Sequence, residues 1–239
     1  MGGLSWCYSG LLRTLDPEQP VYGIQSAGLD GTRPAARSLP EMIDGIIEQM
    51  RTVQPHGPYR LLGWSLGGTL AHLVAAELQQ RGEEVDRVVL LDAFPVEEHR
   101  RHEMDVAQVL HDLCQAYAKL HGDDPDDVPD EPAAVRARIV GYMGRSESEL
   151  RHLDDGQRAA VLDVLVNNVC LISPAEPPLF KGDLLLVAAT ENVRAWADQS
   201  AWEPYLTGVI DRVEVAATHE GLAAPAPAAE TGRILSTRL

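Results

Sequence analysis

Residues 59–82 read Y-R-L-L-G-W-S-L-G-G-T-L-A-H-L-V-A-A-E-L-Q-Q-R-G. The first six are short and mostly apolar, the pattern of a buried strand. Residues 69–81 form a helical run that Gly82 closes. Between them, Gly63-Trp64-Ser65-Leu66-Gly67 fits Gly-x-Ser-x-Gly in the strand-turn-helix setting that this pattern requires. A serine on so tight a turn has a strained backbone, and glycines two positions before and two after it let the neighbouring chain pass closely. The hydroxyl is lifted clear of the sheet, while the helix behind it aims N–H groups and a positive dipole end at the same spot. Ser65 is therefore the expected nucleophile, and the backbone N–H of Leu66 the first donor to an oxyanion. A turn that contains serine by chance needs no such placement. A phosphate-binding loop needs a closing Lys-Ser/Thr and different glycine spacings.

The flanking sequence extends the same pattern. Residues 85–91 read as another buried strand. Upstream, residues 20–26 (P-V-Y-G-I-Q-S) alternate as a strand does and run into turn residues around Gly28, Asp30 and Gly31. A helix over 39–53 follows, with Ser38 and Glu41 at capping-box spacing, apolar residues at intervals of three and four, and Pro55 as the stop. Strand, helix, strand with short links, twice in succession, predicts an α/β fold with a mostly parallel sheet flanked by helices. From 97 to 180 the pattern turns to helices only, at 105–120, 133–143 and 155–171, broken by the Asp/Pro-rich stretch 123–132. That is too long for a connecting loop and is read as a helical lid inserted into a core of residues 1–96 and 181–239. Strands resume at 183–189 and 209–216, and a last helical segment lies near 230–239.

A free serine is a poor nucleophile, so a base must abut it and a carboxylate must orient that base, in the chain order Ser, acid, His. Of eight histidines, His56 precedes the serine, and His99, His102, His111, His121 and His152 fall in the insertion. His72 sits inside the helix after the turn, packed or facing solvent. His219 follows the last strand, in Ala217-Thr218-His219-Glu220-Gly221, and is the expected base. Two residues qualify as the acid. Asp92 ends V-V-L-L-D, 27 residues after Ser65 and one crossover away; Glu191 ends L-L-L-V-A-A-T-E. Geometry permits either and favours Asp92. Trp64, beside the nucleophile, has the best claim among the four tryptophans to line an apolar acyl channel.

Composition narrows the function classes. The chain has 239 residues, 45% hydrophobic and 23% charged, with a formal charge of −16. Such an acidic balance repels phosphate backbones and anionic headgroups, which disfavours nucleic acid or a membrane surface as the main partner. Three scattered cysteines, Cys7, Cys114 and Cys170, suggest neither a disulfide framework nor a zinc site. His99-Arg100-Arg101-His102 lacks the arrangement of a metal motif, so no metal is expected. With no apolar stretch of membrane-spanning length and no signal-peptide layout at the start, a cytoplasmic protein is expected.

Together, G-W-S-L-G-G, V-V-L-L-D-A-F-P, the opening G-G-L-S-W-C-Y-S-G-L and P-V-Y-G-I-Q-S-A-G-L-D-G resemble the terminal, product-releasing (type I) thioesterase domains of nonribosomal peptide synthetases, which have the α/β-hydrolase fold. The resemblance spans nearly the whole chain outside the insertion. It implies Asp92 rather than Glu191 as the acid, His219 as the base and the insertion as the lid. It also implies that no cofactor is bound by the domain itself. The substrate would be a peptidyl or depsipeptidyl thioester on the phosphopantetheine arm of a peptidyl carrier domain. Ser65 would form a peptidyl-O-serine intermediate, resolved by water to a linear acid or by a hydroxyl or amine of the peptide to a macrocycle, as in antibiotic biosynthesis. In that family a strand and a His-Pro-x-Gly-Gly-like turn come earlier, so with Met1-Gly2-Gly3 inside that turn the first strand or strands are expected to be missing. The second oxyanion donor would then fall on Met1. Two other functions are weighed: an esterase or lipase acting on free oxoesters, and a silent binding module, which would have no physical need for a strained serine turn with a base and an acid in order.

Overall fold

The computed structural model describes residues 3–29, 33–95, 104–145, 149–191 and 199–238. Its centre is a four-stranded sheet of β1 (Tyr59–Trp64), β2 (Val85–Leu91), β3 (Leu184–Ala189) and β4 (Ile210–Val215), in that spatial order, with every neighbouring pair parallel. Successive side chains of a strand point to opposite faces. Val88, Leu90, Leu184 and Leu186 accordingly turn to one side, where they meet Phe180 and Trp202. Val89, Leu91, Leu185 and Val187 turn to the other, where they meet Val215 and Leu235. β3 is buried along all six residues, which is why its sequence is an unbroken apolar run rather than an alternation.

Helix α1 (Leu39–Val53) and helix α2 (Leu66–Gln80) cover the β1 end of the sheet through Ile47, Met50, Tyr59, Val74 and Leu78. The capping box expected at α1 forms by half. Ser38 accepts the Glu41 N–H at 3.3 Å, but the Glu41 carboxylate accepts from the Arg37 N–H at 3.1 Å instead of closing on Ser38. Helix α6 (Pro225–Arg238) packs on the opposite face. It begins five residues before the expected 230, because Pro225 sits at the helix start, where its missing N–H costs nothing. α2 likewise starts at Leu66, directly after the serine, rather than at 69.

The strand expected at 20–26 does not form. The segment is extended, but its ties are not those of a ladder: the Ser26 N–H donates to the Gly3 carbonyl at 2.9 Å, and Gln25 accepts from Ser5. Val21 is 51% and Tyr22 60% exposed. Alternation specifies an extended chain, whereas a ladder also needs a neighbouring strand, and none of the four described strands lies beside it.

Between β2 and β3 the described chain is helical: α3 (Val106–Leu120), α4 (Pro132–Met143) and α5 (Asp155–Ile172). They enclose a core of their own, including Leu110, Cys114, Ile139, Met143, Leu162 and Val166. A full capping box fixes the start of α5, with the Gln157 N–H on the Asp154 side chain at 2.8 Å and the Asp154 N–H on the Gln157 side chain at 3.0 Å. α5 also ties this layer to the body. Ile172 packs on Met42 and Leu73, and the Asn167 and Asn168 amides donate to the Ala36 carbonyl and the Ser26 hydroxyl. All three cysteines are free thiols. Among the described residues no helix is long and apolar enough to cross a membrane.

Candidate active site

Ser65 is the junction between β1 and α2, the residue after the strand and the cap of the helix, with φ 56° and ψ −127°. A non-glycine residue held there costs of the order of 1–3 kcal/mol and persists only where its surroundings over-determine it. The Ser65 N–H donates to the Leu91 carbonyl of β2 at 3.0 Å, which fixes the turn from the sheet side. Two glycines fix it sterically. A Cβ on Gly63 would lie 2.0 Å from the Gly67 carbonyl oxygen, and one on Gly68 would lie 2.3 Å from the Ala93 Cβ. A Cβ on Gly67 would meet only the Tyr8 hydroxyl, at 3.1 Å. The close approaches thus require glycine at 63 and 68, one place later than the motif reading expects on the helix side. Gly63→Ala is expected to destabilise the protein by at least about 1–3 kcal/mol, since the obstructing atom is backbone; the urea unfolding midpoint checks this.

Asp92 follows β2 with φ 43°, a second strained position. Its N–H donates to the Val187 carbonyl at 2.7 Å, and its Oδ1 accepts the Ala189 N–H at 3.0 Å, so β3 holds the carboxylate from the side. The Trp202 indole N–H on the Ala93 carbonyl, at 2.9 Å, anchors the next residue. The other oxygen, Oδ2, lies 2.7 Å from Nδ1 of His219, and Nε2 of His219 lies 3.0 Å from the Ser65 Oγ. An ionised carboxylate only accepts, so Nδ1 carries the imidazole proton and Nε2 presents its lone pair to the serine hydroxyl. The side chains of His219 and Asp92 are 15% and 11% exposed, enough shielding from water to strengthen both contacts.

The structure thus brings Ser65, Asp92 and His219 together. It does not bring in Glu191, whose side chain is exposed and whose N–H donates to the Ala217 carbonyl. Leu66 is the first residue of α2, where a backbone N–H has no acceptor within the helix. Met1 lies outside the described residues, as do His99, Arg100, Arg101 and His102. Trp64 differs from its expected role. It is 2% exposed and packs in the core cluster, its ring centroid 5.7 Å from that of His219, so it backs the imidazole and presents no face to a channel. Trp64 is the last residue of β1, and its side chain lies on the sheet face that also carries Leu91, Val187 and Val215. Sequence reasoning also missed Tyr8, whose hydroxyl accepts the Trp64 N–H at 3.1 Å. No local pattern marks it, because the contact joins residues 56 positions apart.

His72 is fully buried, its Nε2 donating to the Tyr205 carbonyl at 3.1 Å and its ring between Trp202 and Phe180. Nδ1 is buried and has no hydrogen-bond partner among the described residues. Burial pushes the imidazole down from 6.5 to about 4, only partly offset by the bond to Tyr205. The unfolded chain therefore binds the extra proton between those values, so stability is complete above pH 6.5 and is lost as pH falls toward 4. The loss is roughly 3 kcal/mol. His72→Leu is expected to flatten that segment of the stability profile, measured as denaturant midpoints from pH 7 to 4.

Comparison with known proteins places this geometry. The thioesterase domain family matches residues 1–226. Over 243 residues the chain is 35% identical to the dimodular nonribosomal peptide synthase of Bacillus subtilis (strain 168), across 100% of this chain and 10% of that protein. It is 29% identical over 238 residues to enterobactin synthase component F of Escherichia coli (strain K12), across 99% of this chain and 17% of that protein. The chain thus spans only a small part of the curated relatives it matches. Among solved structures, the four-domain nonribosomal peptide synthetase holo-AB3403 aligns with a TM-score of 0.81 at 23% identity, covering 99% of this chain and 18% of that one, a likeness of fold. The match over residues 1–226 means that the chain belongs to the thioesterase domain family, and the relatives it resembles are nonribosomal peptide synthetases.

Proposed function

We propose that the chain releases a peptidyl group from the phosphopantetheine thioester of a carrier domain, through an ester on Ser65. The observation that carries this reading is the continuous contact from Asp92 through His219 to Ser65, at 2.7 and 3.0 Å. Nε2 of His219 takes the Ser65 proton as Oγ attacks the thioester carbonyl. The tetrahedral oxyanion forms at the start of α2, where the Leu66 N–H and the helix dipole stabilise negative charge. As the C–S bond breaks, His219 returns the proton to the departing sulfur and free phosphopantetheine thiol leaves. His219 then deprotonates the second nucleophile. Water gives a linear acid; a hydroxyl or amine of the bound peptide gives a ring. Met1 would supply the second oxyanion donor.

The helical layer α3–α5, within the segment 97–180, is proposed as a lid that shields the ester from water and so favours ring closure over hydrolysis. Its separate core and its attachment through α5 support a unit able to shift against the sheet. The test compares a peptidyl thioester with its matched oxoester and identifies products by mass. Higher kcat/KM for the thioester is expected. Equal or better turnover of the oxoester would favour a carrier-independent esterase, and inertness toward both would favour a binding module.

A further inference from the structure

We propose that Tyr8 is a positioning residue for this reaction: its hydroxyl, seated between the end of β1 and the first turn of α2, sets the turn that presents Ser65 and the Leu66 N–H. The inference rests on the reading of Ser65 as nucleophile. Backbone N–H groups of a strand point alternately to its two sides. The Ser65 N–H goes to Leu91 on β2, so the N–H of Trp64 faces away from β2, toward the side of β1 where no described strand lies. There the Tyr8 hydroxyl accepts it at 3.1 Å, taking the place of a strand partner at the last position before the nucleophile.

The same oxygen lies 3.1 Å from where a Cβ on Gly67 would stand, so it also abuts the second residue of α2. Tyr8 therefore touches both arms of the turn, while Leu91 holds its middle from the other side. The phenol is held in place by its own segment. Tyr8 closes a short helical turn, residues 6–8, packs against the core cluster that holds Trp64 and Leu11, and donates its N–H to the Ser5 carbonyl. Burial pushes the hydroxyl up to about 12, so it stays neutral and its oxygen remains an acceptor of constant strength across the working range. A displaced turn would move Oγ relative to Nε2 and the Leu66 N–H relative to the oxyanion. Both errors fall on the chemical step rather than on substrate binding.

Tyr8→Phe keeps the ring and deletes the acceptor. Gly67→Ala keeps the phenol and crowds its oxygen by a few tenths of an ångström, while raising the intrinsic helix propensity of α2. Tyr8→Phe is expected to lower kcat for a peptidyl thioester by about tenfold with KM within about twofold, the loss of one well-placed hydrogen bond, and Gly67→Ala to lower kcat by a smaller factor. The double variant is expected to be no worse than Tyr8→Phe alone, because both substitutions act on the same contact. A merely structural role predicts a different result: Gly67→Ala with unchanged kcat, or a kcat loss in Tyr8→Phe that tracks its folded fraction. Either outcome overturns the proposal. If Tyr8→Phe does not fold, Gly67→Ala alone decides by the same criterion. Ser65→Ala run alongside separates the two failures. A retained activity there removes the nucleophile reading itself, whereas a dead Ser65→Ala with fully active Tyr8→Phe and Gly67→Ala removes only the role of Tyr8.

Discussion

Ser65→Ala is expected to lower turnover of a peptidyl thioester by about 10⁴- to 10⁶-fold, with little change in the unfolding midpoint. The residual rate would come from substrate binding and the donors at the start of α2, which the substitution leaves in place. Alanine at 65 inherits the positive φ of the turn, so the backbone strain is unchanged and the two proteins differ only by the oxygen 3.0 Å from His219. The measurement is kcat/KM on purified variants with a thiol-release assay. A residual rate above about one per cent of the parent would mean that another group attacks the thioester.

Asp92→Asn is expected to be nearly as damaging, about 10⁴-fold in kcat. The amide oxygen can keep the bond from the Ala189 N–H at Oδ1, which leaves the NH₂ group facing His219. A donor there favours the imidazole with its proton on Nε2, the wrong tautomer for accepting the Ser65 proton. The damage is thus electrostatic, with the fold intact. Glu191→Gln serves as the comparison and is expected to stay within about twofold, since its side chain is exposed and Nδ1 of His219 is taken by Asp92. If the two substitutions had reversed effects, the acid would be Glu191, reached by a loop movement that this geometry does not contain.

Much of this site was legible before the fold was known, for identifiable reasons. A parallel strand buried on both faces writes a continuous apolar run, so β3 and the second half of β2 stand out, with Asp92 directly after β2 and Glu191 two residues past β3. The strand-turn-helix at Ser65 is local in sequence, and local geometry is what a motif encodes. What stayed hidden depends on partners far along the chain. The segment 20–26 has the alternation of a strand, but none of the described strands pairs with it. Gly68 is needed because of Ala93, and Tyr8 matters because of Trp64; neither pair has a spacing rule. The burial of Trp64 is of the same kind, since it is set by His219 and by core residues of β2, β3 and β4 far along the chain. His72 could be narrowed to packed or solvated, but only the surrounding Trp202, Phe180 and Tyr205 decide it.

The most direct test of covalent release through Ser65 is the intact mass of the protein after brief exposure to a peptidyl thioester, with Ser65→Ala in parallel. The expected result is a mass increase equal to the peptidyl acyl group, located by digestion on the peptide that contains Ser65 and absent from the variant. An adduct that persists in Ser65→Ala or maps to another residue would contradict the mechanism. So would thioester turnover that persists undiminished in Ser65→Ala.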